Sequence, residues 1–176
     1  MSRETFGIYL HNVKNKSLAS KILLLLKNEK LKSQLNSMKN FFGKSARIIG
    51  VDMNPDARKW EKHGFEIFIG SQSDEQFWYD FINKVGKIDI VLDDGGHTYE
   101  QQIITTENLL DAINDDGIIV VEDTHTSYMN GYGTKKYSFM NYVSHIIDRI
   151  NFRSNVTQSM LKSERRIWSI EIVESM

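Results

Sequence analysis

The chain predicts an α/β domain: a doubly wound, mostly parallel sheet with helices on both faces. Two observations carry this. The stretch Ile88–Tyr99, IDIVLDDGGHTY, is an apolar run that ends abruptly in two carboxylates, two glycines and a histidine. A short aliphatic run of this kind marks a strand buried on both faces. Acidic side chains do not follow such a strand into the core without partners, so Asp93 and Asp94 are expected where it emerges. Gly95 and Gly96 permit a tight turn there, and His97 sits just beyond it. The second stretch, Gly117–Asp123 (GIIVVED), has the same form and stops at Glu122 and Asp123. As neighbouring parallel strands, the two would set their acidic ends side by side on one rim of the sheet.

The remaining elements follow in order. Residues 1–20 are polar and weakly patterned and are expected to be irregular. Ile22–Leu26 fits a first strand, although its aliphatic run suits a helix nearly as well. Leu31, Leu35, Met38 and Phe42 recur at helical spacing, with Asn28 as N-cap and Gly43 as the stop. Arg47–Asp52 reads as a second strand ending in an acid, and Asn54-Pro55 then opens a helix to about His63. Phe65–Ile69 is a third strand. Asp74 caps a helix through Phe77, Trp78, Phe81 and Ile82, whose aromatic residues belong to the core. A helix from about Tyr99 to Ala112 follows the central strand. Asn114-Asp115-Asp116-Gly117 has turn chemistry, and residues 124–136 form a loop rich in hydroxyl, aromatic and glycine residues. A helix from about Tyr137 to Ile150 and a strand over Ile167–Val173 close the pattern. Strands alternating with helices in this way give parallel sheets with right-handed crossovers.

Composition narrows the function. A chain of 176 residues suits a single domain with one core. The 22 Lys and Arg residues nearly balance the 23 Asp and Glu residues, which argues against a nucleic-acid footprint or a polybasic membrane patch. There is no cysteine, so disulfides, thiolate metal sites and cysteine nucleophiles are excluded together. A metal would be held by oxygen or imidazole nitrogen, which favours hard ions such as Mg²⁺. No apolar run reaches membrane-spanning length, and MSRETFGIYL carries no signal-peptide pattern. A cytoplasmic protein is expected.

Ligands of doubly wound sheets bind outside the carboxyl ends of the strands, and here those ends are Asp52, Gly70-Ser71-Gln72, Asp93-Asp94 and Glu122-Asp123. Asp94, Glu122 and Asp123 together offer three hard oxygen donors, whose mutual repulsion a divalent cation would relieve. His97, three residues past Asp94, is placed to act as general base beside such an ion. Asp-Asp-Gly-Gly is also ordinary turn sequence, so a structural role stays open for this stretch alone. Asp52 suits a ribose diol. His125, beside Asp123, is a further candidate.

VLDDGGH followed by VVEDTHTSY, at this separation, resembles the metal-dependent sugar O-methyltransferases of the mycinamicin type. It also resembles related bacterial proteins associated with polysaccharide genes and labelled cephalosporin hydroxylase-like. IIGVDMNP and the GSQSD segment fit the same pattern, so the resemblance spans roughly residues 38 to 152. It implies a Rossmann-like, class I S-adenosylmethionine-dependent methyltransferase fold with a Mg²⁺ site. Asp94, Glu122 and Asp123 would be the metal ligands and His97 the base that deprotonates a saccharide hydroxyl. Asp52 would bind the cofactor ribose, and Gln72, with Asp93 behind it, would lie near the adenosine and methionine portions. Tyr128 and Tyr132 would offer stacking surfaces to a sugar.

The chain departs from the family at two places. The glycine-rich loop that follows the family's first strand is replaced by Lys27-Asn28-Glu29-Lys30-Leu31-Lys32, and Ser71 stands where an acid is usual. The first departure supports an alternative: a catalytically silent protein that keeps the fold for binding or assembly. The last strand also lacks an evident antiparallel neighbour, so the sheet reads as incomplete there. An uncovered edge invites pairing with a second copy, giving a homo-oligomer.

Overall fold

The computed structural model describes residues 6–11, 21–26, 31–43, 45–151, 167 and 169–174. Their centre is a seven-stranded sheet of order β4-β3-β2-β5-β6-β1-β7. The strands are β1 (Phe6–His11), β2 (Lys21–Leu26), β3 (Arg47–Asp52), β4 (Glu66–Ile69), β5 (Ile88–Asp94), β6 (Ile113–Glu122) and β7 (Ser169–Glu174). The helices are α1 (Leu31–Phe42), α2 (Glu75–Val85), α3 (Tyr99–Leu110) and α4 (Phe139–Asn151). β4, β3, β2, β5 and β6 pair in parallel, as expected.

The ambiguity over Ile22–Leu26 resolves as a strand because both faces of β2 are covered. Ile22, Leu23, Leu24 and Leu25 are fully buried, and they alternate between two apolar clusters. Leu23 and Leu25 pack with Trp78 and Phe81 of α2, Leu109 of α3 and Phe139, Val143 and Ile146 of α4. Ile22 and Leu24 pack with Leu35 of α1 and Ala57 and Phe65. A strand between two such layers reads as a continuous hydrophobic run. The chain runs from β2 outward to β3 and β4, then crosses to β5 on the other side of β2. The topological switch point therefore lies between β2 and β5.

Most predicted boundaries hold. Asn54 caps a 3₁₀ helix over Pro55–His63 by accepting from Asp56 N. Asp74 caps α2 through Gln76 N and Phe77 N. Gly43, at φ 86°, ends α1, whereas Asn28 lies outside the described residues.

Three expectations are corrected. The first 20 residues are not irregular throughout, because Phe6–His11 forms β1. This strand lies between β6 and β7 and pairs antiparallel with both. It is the antiparallel neighbour that the last strand was expected to lack, supplied from the other end of the chain. Six residues were too few to weigh against the polar composition around them. The third correction concerns Asn114–Gly117, which lies within β6 as an irregularity rather than in a turn before it. The register passes from Ile88↔Ile113 to Ile90↔Ile118. Asn114 Nδ2 donates to Asp89 Oδ1 across this bulge, and a Cβ on Gly117 would lie 2.7 Å from the Asp89 carbonyl oxygen. Turn-forming residues serve a β-bulge for the same conformational reasons.

The position of β1 gives a direct test. Ile8 is in register with Val121 on one side and Ile172 on the other, so its N–H faces a strand whichever way it points. Ile8→Pro should destabilise the domain by roughly 2 kcal/mol or more, through a lost ladder bond and a buried orphan carbonyl. Urea denaturation of the variant against the parent measures this.

Candidate active site

The site starts from the carboxyl end of β5. Asp93 is 2% exposed, flanked in the sheet by Leu25 and Val121. Its Oδ1 accepts from Gln72 Nε2 at 2.9 Å and from Gly95 N at 3.2 Å. The same amide nitrogen reaches Thr105 Oγ1 of α3 at 3.2 Å, and Gln72 Oε1 accepts from Gly96 N at 2.6 Å. Trp78 Nε1 of α2 donates to the Gln72 carbonyl at 3.0 Å, which ties down the backbone of that residue. Gly95 is required here: a Cβ would lie 2.3 Å from Gln72 Oε1. Asp93 Oδ2 is buried with no hydrogen-bond partner. Burial pushes the carboxyl up to about 7, the Gly95 N–H and Gln72 amide oppose this, and Asp94 and Glu122 add to it.

Asp94, His97 and Asp123 converge beside this network. One ligand atom from each lies within 4.8 Å of the others, and among the described residues no other set of three or more acidic or histidine side chains does so. His97 Nε2 is 3.3 Å from Asp123 Oδ2, and His125 Nδ1 is 3.8 Å from Asp123 Oδ1. Glu122, expected as a third carboxylate in this set, is not part of it. Asp123 adopts a left-handed conformation at φ 55°, the one positive φ of a non-glycine residue among those described. Aspartate tolerates this region better than most residues, and such strain clusters at functional sites. Thr126 Oγ1 lies 3.0 Å from the Asp123 carbonyl and 3.1 Å from that of His97, so one hydroxyl spans both backbone segments.

A cavity of about 370 Å³ opens next to this group. Asp52, Gln72, Gly95, Gly96 and His97 line it, so the ends of three strands, β3, β4 and β5, contribute to one space. Asp52 Oδ1 accepts from Asn54 N at 2.8 Å, which fixes the carboxylate at the end of β3. Tyr132 lines the cavity, whereas Tyr128 is 70% exposed and does not. Thr98 and Gln101 are lining residues that the sequence reading missed. They form a capping box at the start of α3, and the T-x-x-Q spacing of Thr98-Tyr99-Glu100-Gln101 is its sequence signal. Lys27–Lys30, where the family's glycine-rich loop would stand, lies outside the described residues.

The arrangement fits a divalent cation and a polar ligand. Two carboxylates at mutual ligand distance offer hard oxygen donors to a divalent metal, with an imidazole beside them. The side-chain-free backbone of Gly95 and Gly96 lines the cavity, with the orphaned Asp93 Oδ2 buried two residues away in the chain.

Asp93 also makes stability depend on pH. Its folded-state pKa is raised above the ordinary carboxylate value, so its contribution is fully present below about pH 4 and is lost as pH rises through about 7. In metal-free protein, stability should therefore fall between these limits, by up to about 4 kcal/mol. Asp93→Asn should flatten the slope. Denaturation midpoints at pH 4.5 and 8, read for both proteins, test it at roughly the two ends of that window.

The fold and this rim define a methyltransferase-type domain. Over residues 24–124 the chain matches the family described as Methyltransferase domain, and it belongs to that family. It is 37% identical over 92 residues to the 8-demethyl-8-(2-methoxy-alpha-L-rhamnosyl)-tetracenomycin-C 3'-O-methyltransferase of Streptomyces olivaceus, covering 49% of this chain and 22% of that protein. It is 30% identical over 99 residues to the demethylmacrocin O-methyltransferase of Streptomyces fradiae, covering 56% of this chain and 25% of that protein. The chain thus spans about a quarter of the length of these curated relatives. The structure is similar to MycE methyltransferase from the mycinamycin biosynthetic pathway, solved in complex with Mg, SAH and mycinamycin VI. The TM-score is 0.73 at 22% identity, over 85% of this chain and 40% of that one. The fold is accordingly the Rossmann-like fold of a class I methyltransferase. No helix among the described residues is long and apolar enough to cross a membrane.

Proposed function

We propose that this protein is an O-methyltransferase that transfers the methyl group of S-adenosylmethionine to a saccharide hydroxyl at a Mg²⁺-bearing rim. The observation that carries this reading is the convergence of Asp94, His97 and Asp123 beside a cavity at the switch point of a methyltransferase-family sheet. The relative named for 3'-O-methyl transfer to a rhamnosyl-bearing tetracenomycin supports the substrate class.

Each residue then has a role. Asp52, held by Asn54 N, receives the ribose diol of the cofactor. Gln72, its amide locked by Asp93, Thr105 and Gly96, faces the cofactor from below. Asp94 and Asp123 would hold the metal, with Glu122, the neighbour of Asp123, as a further candidate carboxylate. When bound, S-adenosylmethionine supplies an electrophilic methyl group and Mg²⁺ supplies the charge that chelates sugar hydroxyls and lowers the pKa of one. His97 would take the proton of that hydroxyl, the new oxygen–carbon bond being matched by loss of the donor's carbon–sulfur bond. Asp123, 3.3 Å from His97 Nε2, stabilises the imidazolium so formed. The rigid rim aligns acceptor and methyl group in line.

His97→Ala should lower turnover by at least about 100-fold while leaving the fold and cofactor affinity unchanged. Unchanged turnover would remove the base from the mechanism. Asp94→Asn should abolish metal-dependent activity, with loss of Mn²⁺ binding (the paramagnetic probe for this site) by electron paramagnetic resonance.

A second reading is favoured by Lys27–Lys32: a domain that keeps the fold but no longer binds the methyl donor. Calorimetric titration with S-adenosylmethionine, with and without Mg²⁺, separates the two. Binding tighter than about 100 μM supports the enzyme, and no heat from folded protein supports the silent domain.

A further inference from the structure

Tyr99 is the first residue of α3 and is 2% exposed, an unusual position for a phenol two residues from a candidate catalytic histidine. Its Oη lies 3.1 Å from the Thr126 carbonyl oxygen, 3.2 Å from that of Ser127 and 3.0 Å from that of Met129. Three carbonyls therefore converge on one O–H, whose single proton is shared among them. Its backbone N–H donates to the Tyr132 carbonyl at 3.0 Å. Its ring fills the space beside Gly133, where a Cβ would lie 2.5 Å from Tyr99 Cδ2 and where φ is 144°. The 126–133 segment is thus wrapped around a single side chain. Tyr132, on that segment, lines the cavity together with residues of the strand ends.

We propose that Tyr99 is a positioning residue that fixes the acceptor side of the pocket. It holds the 126–133 segment in the curve that puts Tyr132 against the cavity beside His97. The cofactor side, built from Asp52, Gln72 and the glycines after β5, is fixed by the sheet and needs none of these bonds. The two sides of the pocket are therefore separable: loss of the phenol oxygen loosens the wall met by the sugar and leaves the methyl donor's seat intact. Removing the oxygen leaves the Ser127 and Met129 carbonyls without the donor they share, while the Thr126 carbonyl keeps the Met129 N–H, and the unmet acceptors favour a looser segment. This inference rests on the O-methyltransferase reading for the identity of what enters from the Tyr132 side.

The test uses Tyr99→Phe in the full chain, because it removes one oxygen and keeps the ring that packs on Gly133. Hydrogen–deuterium exchange is read at Thr126 and Met129, whose amides bond within the segment to Asp123 and Thr126 carbonyls, with β5 amides as the control. Exchange at the two positions should rise about tenfold in the variant with β5 unchanged. With methyl α-L-rhamnopyranoside as the acceptor probe, KM should rise about tenfold, with kcat changed less than about threefold and S-adenosylmethionine affinity unchanged. Gly133→Ala sets a methyl group against the Tyr99 ring with Oη in place, displaces the same segment, and should reproduce the KM change.

Unchanged exchange at Thr126 and Met129 overturns the proposal, as does a fall in kcat at constant KM or a parallel loss of cofactor affinity. Wild-type protein that transfers no methyl group sinks the O-methyltransferase reading and the acceptor part of this inference with it. The exchange comparison then still decides whether Tyr99 holds the segment.

Discussion

The burial of the Asp93 carboxyl at the end of a strand covered on both faces governs the arrangement of the site. A carboxylate in that position is costly unless it is hydrogen-bonded or neutral. The chain meets the need from three directions: Gly95 from the turn, Gln72 from the end of β4, and Thr105 of α3 through the Gln72 amide. Trp78 of α2 adds a bond to the Gln72 carbonyl. Two helices and two strand ends are thereby locked to one point. Gln72 has each of its amide atoms assigned, so its orientation is not free to change. The constraint runs forward into the turn as well. Gly96 N is consumed by Gln72 Oε1, so the chain leaves β5 in a single direction, and that direction sets His97 beside Asp123.

The other half of the rim depends on a strand from the far end of the sequence. β1 pairs with β6 from His11↔Ile118 to Gly7↔Glu122, so Glu122 is the last residue of β6 held on that side. The next residue, Asp123, leaves the sheet in the left-handed conformation. Where β6 stops, and therefore where Asp123 presents its carboxylate, is set by pairing with residues more than 100 positions earlier in the chain. Long-range antiparallel pairing also gives β7 its partner, and the sheet gains two strands beyond its parallel core.

The sequence displayed the parallel core and its acidic rim because burial on both faces leaves a direct signature. Five aliphatic residues of β2 in a row, and runs ending at Asp52, Asp93 and Glu122, follow from the same physical rule. β1 was concealed by its length and by the polar residues on either side, although Phe6, Ile8 and Leu10 do alternate with Gly7, Tyr9 and His11 at the period of a strand. The bulge at 114–117 was concealed for another reason: its residues satisfy the demands of turns and bulges alike, and only the Asn114–Asp89 bond separates the two. At the rim, sequence spacing brought Asp94, His97 and Asp123 to one place. Spacing does not encode side-chain rotamers, so it gave no sign that Glu122, the last residue of β6, stands outside their group. Tyr99 escaped notice because a tyrosine at the first position of a helix carries no pattern. Its three carbonyl contacts come from a segment whose path is not written in its own periodicity.

The site therefore joins two kinds of construction. Strand ends and their network form a rigid seat, in which a shift of any one residue is resisted by the sheet. The 124–133 segment is buried at its start, where Thr124, Thr126 and Ser127 lie inside, and its path is fixed by point attachments: Thr126 to the backbone of Asp123 and His97, and Tyr99 to the carbonyls beyond. Function that varies between relatives concentrates on such segments, because they can change without disturbing the core. His97 stands at the junction. Its ring faces Asp123, its carbonyl accepts from Thr126, and it lines the cavity shared by both halves. Precise placement of a reacting group requires support from elements that do not themselves vary. A histidine anchored between the end of the sheet and the root of the loop meets that requirement: the loop can be reshaped for a different acceptor while the proton-accepting group keeps its position.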